Sequence, residues 1–231
     1  MPRFIVSLPL VAALTVGLGL ASLVAGFVRP GSRAPRRLER TWARALLRLW
    51  GVDVRVRGAE NVPGGPAVFA ANHASALDIP LLFGYLPADF RIIHKRSLYL
   101  FPVIGLYLYL AGHIAIDRGN PFRARRSLSR AAARIAAGES VAVFPEGTRS
   151  PDGSVMPFKR GSFVLALEAG VPVVPVSLCG VKRLSAQGLV FLRAGAVGLV
   201  VHAPIETRGH PPDDADGLAD QVQGVVTLGC A

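Results

Sequence analysis

Residues 4–28 carry no charged side chain. At 1.5 Å per residue, a helix of that length exceeds the roughly 30 Å of a bilayer's hydrocarbon core. In lipid the backbone must satisfy its own hydrogen bonds, so the segment is constrained to be helical. Arg3 precedes it, whereas Arg29, Arg33, Arg36, Arg37, Arg40, Arg44 and Arg48 follow it. An arginine excess on the C-terminal side predicts that this side stays in the cytoplasm. A cleaved signal peptide would have its basic cluster before a shorter apolar run, which is the opposite arrangement. Pro9, Gly17, Gly19 and Gly26 leave a second form open, a helical hairpin that dips into one leaflet. Residues 1–35 are therefore expected to form a membrane anchor, with one domain over residues 36–231.

Composition narrows the partners. Of 231 residues, 51% are hydrophobic and only 18% charged, against about 25% charged in ordinary soluble domains. The net charge of +11 suits nucleic acid, anionic lipid or a small anionic substrate. Nucleic-acid readers gather their cations on a face bearing stacking aromatics. Here the cations sit behind the apolar segment and beside short motifs, so nucleic acid is not expected. Cys179 and Cys230 have no companion at metal-ligand spacing. Two buried free thiols are expected, with no zinc site and no disulfide.

Residues 36–50 have Leu38, Trp42, Leu46 and Leu49 at helical spacing, with arginines on the other faces. Such a helix suits either a membrane surface or an ordinary packed position. From Gly51 onward, strand and helix patterns alternate. Strands are expected at 52–56, 67–71, 90–94, 113–116, 140–144, 173–178, 189–192 and 197–201. Helices are expected at 76–86, 121–137 (capped by Asn120) and 161–169, with a short one at the C-terminus. Alternation of this kind predicts an α/β fold: a mixed, largely parallel sheet flanked by helices. Val171-Pro172-Val173-Val174-Pro175-Val176 holds two prolines, which predicts an edge strand or a strand start; it suits core or an acyl pocket.

Three short motifs carry chemistry. Asn72-His73-Ala74-Ser75-Ala76-Leu77-Asp78 lies where a buried strand meets a helix, the place where open α/β sheets hold their sites. Histidine is the natural base near neutral pH, and a carboxylate on one ring nitrogen fixes its tautomer. Equally, an aspartate here could simply cap a helix. Phe144-Pro145-Glu146-Gly147-Thr148-Arg149-Ser150 also follows a strand. It sets a carboxylate beside an arginine, whose fork recognises phosphate; a solvated surface turn is the plainer reading. Ile116-Asp117-Arg118 ends a third strand, while Lys95, Lys159 and Arg160 add positive charge.

Taken together and in this order, the motifs resemble those of the phospholipid/glycerol acyltransferase family, nearest to bacterial 1-acyl-glycerol-3-phosphate acyltransferases. N-H-x4-D is met by Asn72, His73 and Asp78. A lysine followed by I-D-R is met by Lys95 and residues 116–118, F-P-E-G-T-R-S by residues 144–150, and V-P-V-x-P-V by residues 171–176. The resemblance covers about residues 50–205. It implies a catalytic His73–Asp78 dyad. It also implies acceptor binding by Arg118, Glu146, Gly147, Thr148 and Arg149, aided by Lys95 and Lys159. No metal, cofactor or covalent acyl-enzyme is implied.

The residues themselves agree with that chemistry. No G-x-S-x-G elbow and no G-K-[ST] loop is present. A base without a protein nucleophile implies direct attack by a substrate hydroxyl on an activated acyl group. The expectation is acyl transfer from acyl-CoA or acyl carrier protein to the sn-2 hydroxyl of 1-acyl-glycerol-3-phosphate. The partners would be membrane phospholipid and lysophospholipid, and the place the inner membrane with the domain on its cytoplasmic side. The competing readings are transfer to another lysolipid, such as a lyso-ornithine lipid, and a non-catalytic lipid-binding membrane protein.

Overall fold

A computed structural model of the chain describes residues 3–29, 34–117, 119–185, 192–211 and 213–230. Two helices, α1 (Arg3–Val28) and α2 (Ala34–Leu49), precede the sheet. The strands are β1 (Val52–Arg57), β2 (Val68–Ala71), β3 (Phe90–Lys95), β4 (Ile114–Ile116), β5 (Ser140–Val143), β6 (Val173–Cys179) and β7 (Gly195–Val201). Between and after them lie α3 (Asp78–Tyr85), α4 (Pro102–Leu110), α5 (Pro121–Ala136), α6 (Gly161–Ala169), α7 (Val181–Leu184) and α8 (Ala215–Leu228). The strands form one sheet in the order β1-β7-β6-β2-β5-β3-β4. Its neighbours are parallel except β6 and β7, which are antiparallel. The fold is thus a mixed, largely parallel sheet flanked by helices.

A parallel sheet is covered on both faces, so its central strands favour apolar residues on both sides. In β2 all four residues are buried. Phe69 and Ala71 face one cluster with Leu46 and Leu47 of α2 and Leu81 and Leu82 of α3. Val68 and Ala70 face another with Ile135 of α5, Phe163 of α6 and Val222 of α8. The period-two alternation of a strand sends neighbours to opposite layers.

The two-proline run predicted an edge strand or a strand start. β6 lies inside the sheet between β7 and β2 rather than at an edge, and the run occupies its start. Its β7 ladder begins only at Val176. The Pro175 carbonyl accepts from the His202 N–H at 3.0 Å, on the β7 side. The nitrogen of Pro175 projects to that same side, just past the ladder's end, so its missing donor is not needed. Val173, Val174 and Val176 are fully buried core. Of the strand expected at 189–192, residues 189–191 lie outside the described residues, and Leu192 is buried without strand structure.

α2 is packed on the domain between α1 and α3. Its buried residues are Glu39, Ala43, Leu46 and Leu47, a face rotated from the leucine stripe because Trp42 turns towards α1. The Trp42 indole donates to Thr15 Oγ1 at 3.0 Å, and that of Trp50 to Ser7 Oγ at 3.3 Å. Position rises on α2 as it falls on α1, so the two helices run antiparallel. Two of the arginines close the end of α3: Arg44 donates to Gly84 O at 2.7 Å, and Arg40 to Leu86 O and Ala88 O at 3.3 Å. The last carbonyls of a helix lack internal partners and carry partial negative charge, so a guanidinium suits them. Ser7–Val28 is long and apolar enough to cross a membrane.

The cysteine expectation is overturned. Cys179 at the end of β6 and Cys230 after α8 form a disulfide, with their Cα atoms 5.2 Å apart. Sequence spacing could not anticipate this, because only α8 packing against β6 brings the chain's end to that strand. Closing a loop of 51 residues should contribute about 4 kcal/mol by restricting the unfolded chain. Cys230→Ser should therefore lower the unfolding free energy by about that amount, with the reduced wild type matching the variant. Denaturant titration in detergent, with and without reductant, measures it.

Candidate active site

Four strands deliver the motif residues to one edge of the sheet. β2 ends at Ala71 and hands on to His73; β5 ends at Val143 and hands on to Glu146. β3 lies beside β5 and ends at Lys95, while β4 lies beside β3 and ends just before Asp117. All run parallel, so these carboxyl ends open on the same crevice.

The His73 loop is held by its own first helical turn. Asp78 is the first residue of α3 and is fully buried. Its Oδ2 lies 2.7 Å from His73 Nδ1 and accepts the N–H groups of Ala74 at 2.7 Å and Ser75 at 2.8 Å. Five residues of separation would part the two side chains on a regular helix. Here residues 72–75 are loop, which lets His73 fold back over the helix start. An Oδ2 already occupied by two N–H donors cannot donate, so the Nδ1 proton belongs to the ring and points at the carboxylate. Nε2 has no hydrogen-bond partner among the described residues. The ring stacks on Phe144, centroids 4.1 Å apart and planes inclined by 20°.

Three contacts from other elements fix the loop's backbone. His73 N–H donates to Glu146 Oε1 at 2.8 Å, and the His73 carbonyl accepts from Ser150 N–H at 2.8 Å. Asn72, almost fully buried, donates through Nδ2 to Leu178 O at 3.0 Å and accepts at Oδ1 from Leu178 N–H at 2.7 Å. Its side-chain amide thus continues the β2–β6 ladder where the main chain has left the sheet. Ser75 is braced in turn: Ser185 Oγ donates to Ser75 Oγ at 2.7 Å, which accepts from Leu77 N–H at 3.2 Å. Sequence reasoning assigned no work to Asn72, Phe144, Ser150 or Ser185. The first three stood inside the quoted motifs and could have been singled out; Ser185 is a hundred and ten residues from Ser75 and carried no signal.

The anion-binding candidates divide. Gly147 takes a left-handed φ of 74° in the turn after Pro145 and Glu146, a conformation glycine adopts freely. Thr148 and Arg149 beyond it are exposed, and Arg149 has no ion-pair partner among the described residues. Lys159 is exposed, and its N–H donates to the Pro145 carbonyl at 3.0 Å, which places it beside the same turn. Lys95 is exposed at the end of β3. Arg118 lies outside the described residues. Glu146 differs from the rest: it is 2% exposed and faces the His73 backbone from within the fold. Burial pushes its carboxyl up to about 7, against the opposing pull of the His73 N–H.

The chain resembles known proteins in both sequence and fold. An acyltransferase family model matches residues 53–179, more than half of the chain and all three motifs that form the site. The chain belongs to the acyltransferase family. It is 37% identical, over 96% of its length, to a 1-acyl-sn-glycerol-3-phosphate acyltransferase of Chlamydomonas reinhardtii, and spans 65% of that protein. It is 38% identical, over 76% of its length, to human 1-acyl-sn-glycerol-3-phosphate acyltransferase alpha, and spans 62% of it. The crystal structure of the 1-acyl-sn-glycerophosphate acyltransferase PlsC from Thermotoga maritima superposes with a TM-score of 0.80. That match has 31% identity and covers 98% of this chain and 95% of the other.

Glu146 provides a test of how the site is held. A carboxyl whose pKa is raised on folding stabilises the fold fully below its unfolded value of 4.5, and that contribution is lost as pH rises through about 7. Glu146→Gln keeps an acceptor for the His73 N–H but cannot ionise. The variant should hold its melting temperature above pH 7 better than the wild type, and the two should converge towards pH 4.5. Thermal unfolding across that range checks it; curves of identical shape would show that Glu146 does not titrate in this window.

Proposed function

We propose that the chain transfers an acyl group from an acyl thioester to the sn-2 hydroxyl of 1-acyl-glycerol-3-phosphate, giving phosphatidic acid, with His73 as general base. The carrying observation is the bond from His73 Nδ1 to a buried Asp78 that already accepts two backbone N–H groups. It leaves Nε2 as the basic nitrogen. The acceptor hydroxyl gives its proton to Nε2 as its oxygen attacks the thioester carbonyl. The buried Asp78 oxygen favours the imidazolium that results. As the tetrahedral intermediate collapses, the carbon–sulfur bond breaks and Nε2 returns the proton to the leaving thiolate. The names of the relatives support this acceptor. Either acyl-CoA or acyl carrier protein supplies the thioester.

The exposed Arg149, together with Lys95, Thr148 and Lys159, is proposed to hold the acceptor phosphate outside the dyad, with Arg118 completing the set. Gly147 shapes the turn that presents them, and Glu146 fixes its base. We further propose that residues 1–35 anchor the chain in the inner membrane. The arginines after Val28 favour a cytoplasmic domain, where acyl thioesters are made.

Purified protein in detergent, given a thioester and a panel of lysolipids, tests the reading. His73→Ala should lose about 10²–10⁴ in turnover, as expected for a missing base, and unfold like the wild type. Asp78→Asn should lose less than His73→Ala, since it removes only the group that orients the ring and steadies the imidazolium. Near-wild-type transfer by a folded His73→Ala protein would refute the dyad.

Arg149→Lys keeps the charge but loses the two-pronged contact. It should raise KM for lysophosphatidic acid by about tenfold or more and leave the thioester KM unchanged. A raised donor KM with an unchanged acceptor KM would assign Arg149 to the donor's phosphates instead.

A further inference from the structure

α4 and the short 3-10 turn before it, Arg96–Leu100, carry an apolar surface that the protein leaves uncovered. Leu100, Phe101, Ile104, Leu106, Tyr109 and Leu110 are each more than half exposed. The helix has no charged residue, and its inward side is already occupied: Leu108 is buried, and Tyr107 donates to the buried Glu39 of α2. Single exposed apolar side chains are normal on a protein, but a contiguous group marks an interface.

We propose that this surface docks on a bilayer containing anionic lipid, as a membrane contact separate from α1, and that it brings the sheet's carboxyl edge to the level of the lipid headgroups. Three observations select that occupant. α4 packs against α1, whose outer face exposes Val16, Leu20 and Val24. α1 is held along the domain by the Trp42–Thr15 and Trp50–Ser7 bonds, so lipid that covers α1 also meets α4. Second, cations border the apolar group. Lys95 and Arg96 precede it; Phe122, 86% exposed, stands at the head of α5 with exposed Arg123, Arg125 and Arg126 behind it. Apolar side chains rimmed by arginine and lysine suit a surface of acyl chains and phosphates. Asp117 offsets part of this charge through its 4.0 Å contact with Arg96. Third, the 3-10 turn leaves the sheet at the carboxyl end of β3, and α5 begins beyond the carboxyl end of neighbouring β4. That is the edge on which His73 and Glu146 stand, where a lipid acceptor would have to arrive. The docking itself stands whether or not the acyl-transfer reading does.

The test uses the full-length chain in vesicles. Because Cys179 and Cys230 are paired with each other, a single introduced cysteine can carry an environment-sensitive fluorophore. Leu106→Cys and Tyr109→Cys should shift to the blue and be quenched by spin-labelled lipid in phosphatidylglycerol-containing vesicles. Glu168→Cys, exposed on α6 in the opposite layer, should show neither. Replacing phosphatidylglycerol by phosphatidylcholine should weaken the quenching. Leu106→Asp combined with Leu110→Asp should reduce turnover on vesicle-borne lysolipid at least about tenfold, since two apolar contacts with lipid are replaced by charges that lipid excludes. Turnover on detergent-dispersed lysolipid should stay near the wild-type rate. Absence of quenching at Leu106 and Tyr109 in chains that float with the vesicles would overturn the proposal, as would equal quenching at Glu168. So would label shielding that depends on protein concentration rather than lipid, which would assign the face to a second copy of the chain. A wild type inactive on both lysolipid forms would count against the proposed function alone, with the quenching result unaffected.

Discussion

A single carboxylate oxygen, Asp78 Oδ2, gathers three donors within five residues of chain: His73 Nδ1 and the N–H groups of Ala74 and Ser75. Asp78, Ala74 and Ser75 are buried, while the His73 ring stays partly exposed. A buried carboxylate is costly unless its oxygens are bonded, and a loop with free N–H groups is costly unless they are. Oδ2 meets both needs at this point, while Oδ1 is buried without a hydrogen-bond partner among the described residues. The arrangement closes the loop, starts α3 with an acidic residue at its positive end, and orients the imidazole. The proposed chemistry follows from it, because it determines which ring nitrogen is left basic.

Other parts of the molecule hold that loop in place. Asn72 stands in for a strand residue against Leu178, one position before the disulfide at Cys179. Removing its amide would leave the Leu178 N–H and carbonyl buried and unpaired, at about 1–3 kcal/mol each. Glu146 and Ser150 grip the His73 backbone from the β5 side. The loop is thus clasped by the strands on both sides of β2, and its geometry is a property of the sheet rather than of seven residues.

The cations divide into two groups by what they meet. Arg40 and Arg44 are spent on carbonyls at and just beyond the end of α3, the packed one of the two positions that their helix suited. Arg149 and Lys159 remain exposed beside the dyad, with Arg123, Arg125 and Arg126 further along the same edge. A net charge of +11 therefore combines a structural share with one available to phosphate, and composition cannot separate them.

Local pattern was enough for the elements: four apolar residues in β2, the Asn120 cap whose Oδ1 accepts from Phe122 and Arg123, the left-handed Gly170 after α6. Those features depend on neighbours in sequence, so the sequence by itself determined them. It also placed His73 and Asp78 in one short segment that turns from strand to helix, but left a plain capping aspartate equally open until the motifs were taken together. It could not determine where β6 lies, since an inner strand tolerates Pro175 only because the β7 ladder stops one residue short. It could not foresee the Cys179–Cys230 bond, the clasp of Asn72 on Leu178, or the burial of Glu146. Each joins residues 51 to 106 positions apart, or rests on such a contact. Proximity of that kind is decided by how the strands order themselves in the sheet, and only the tertiary structure sets that order.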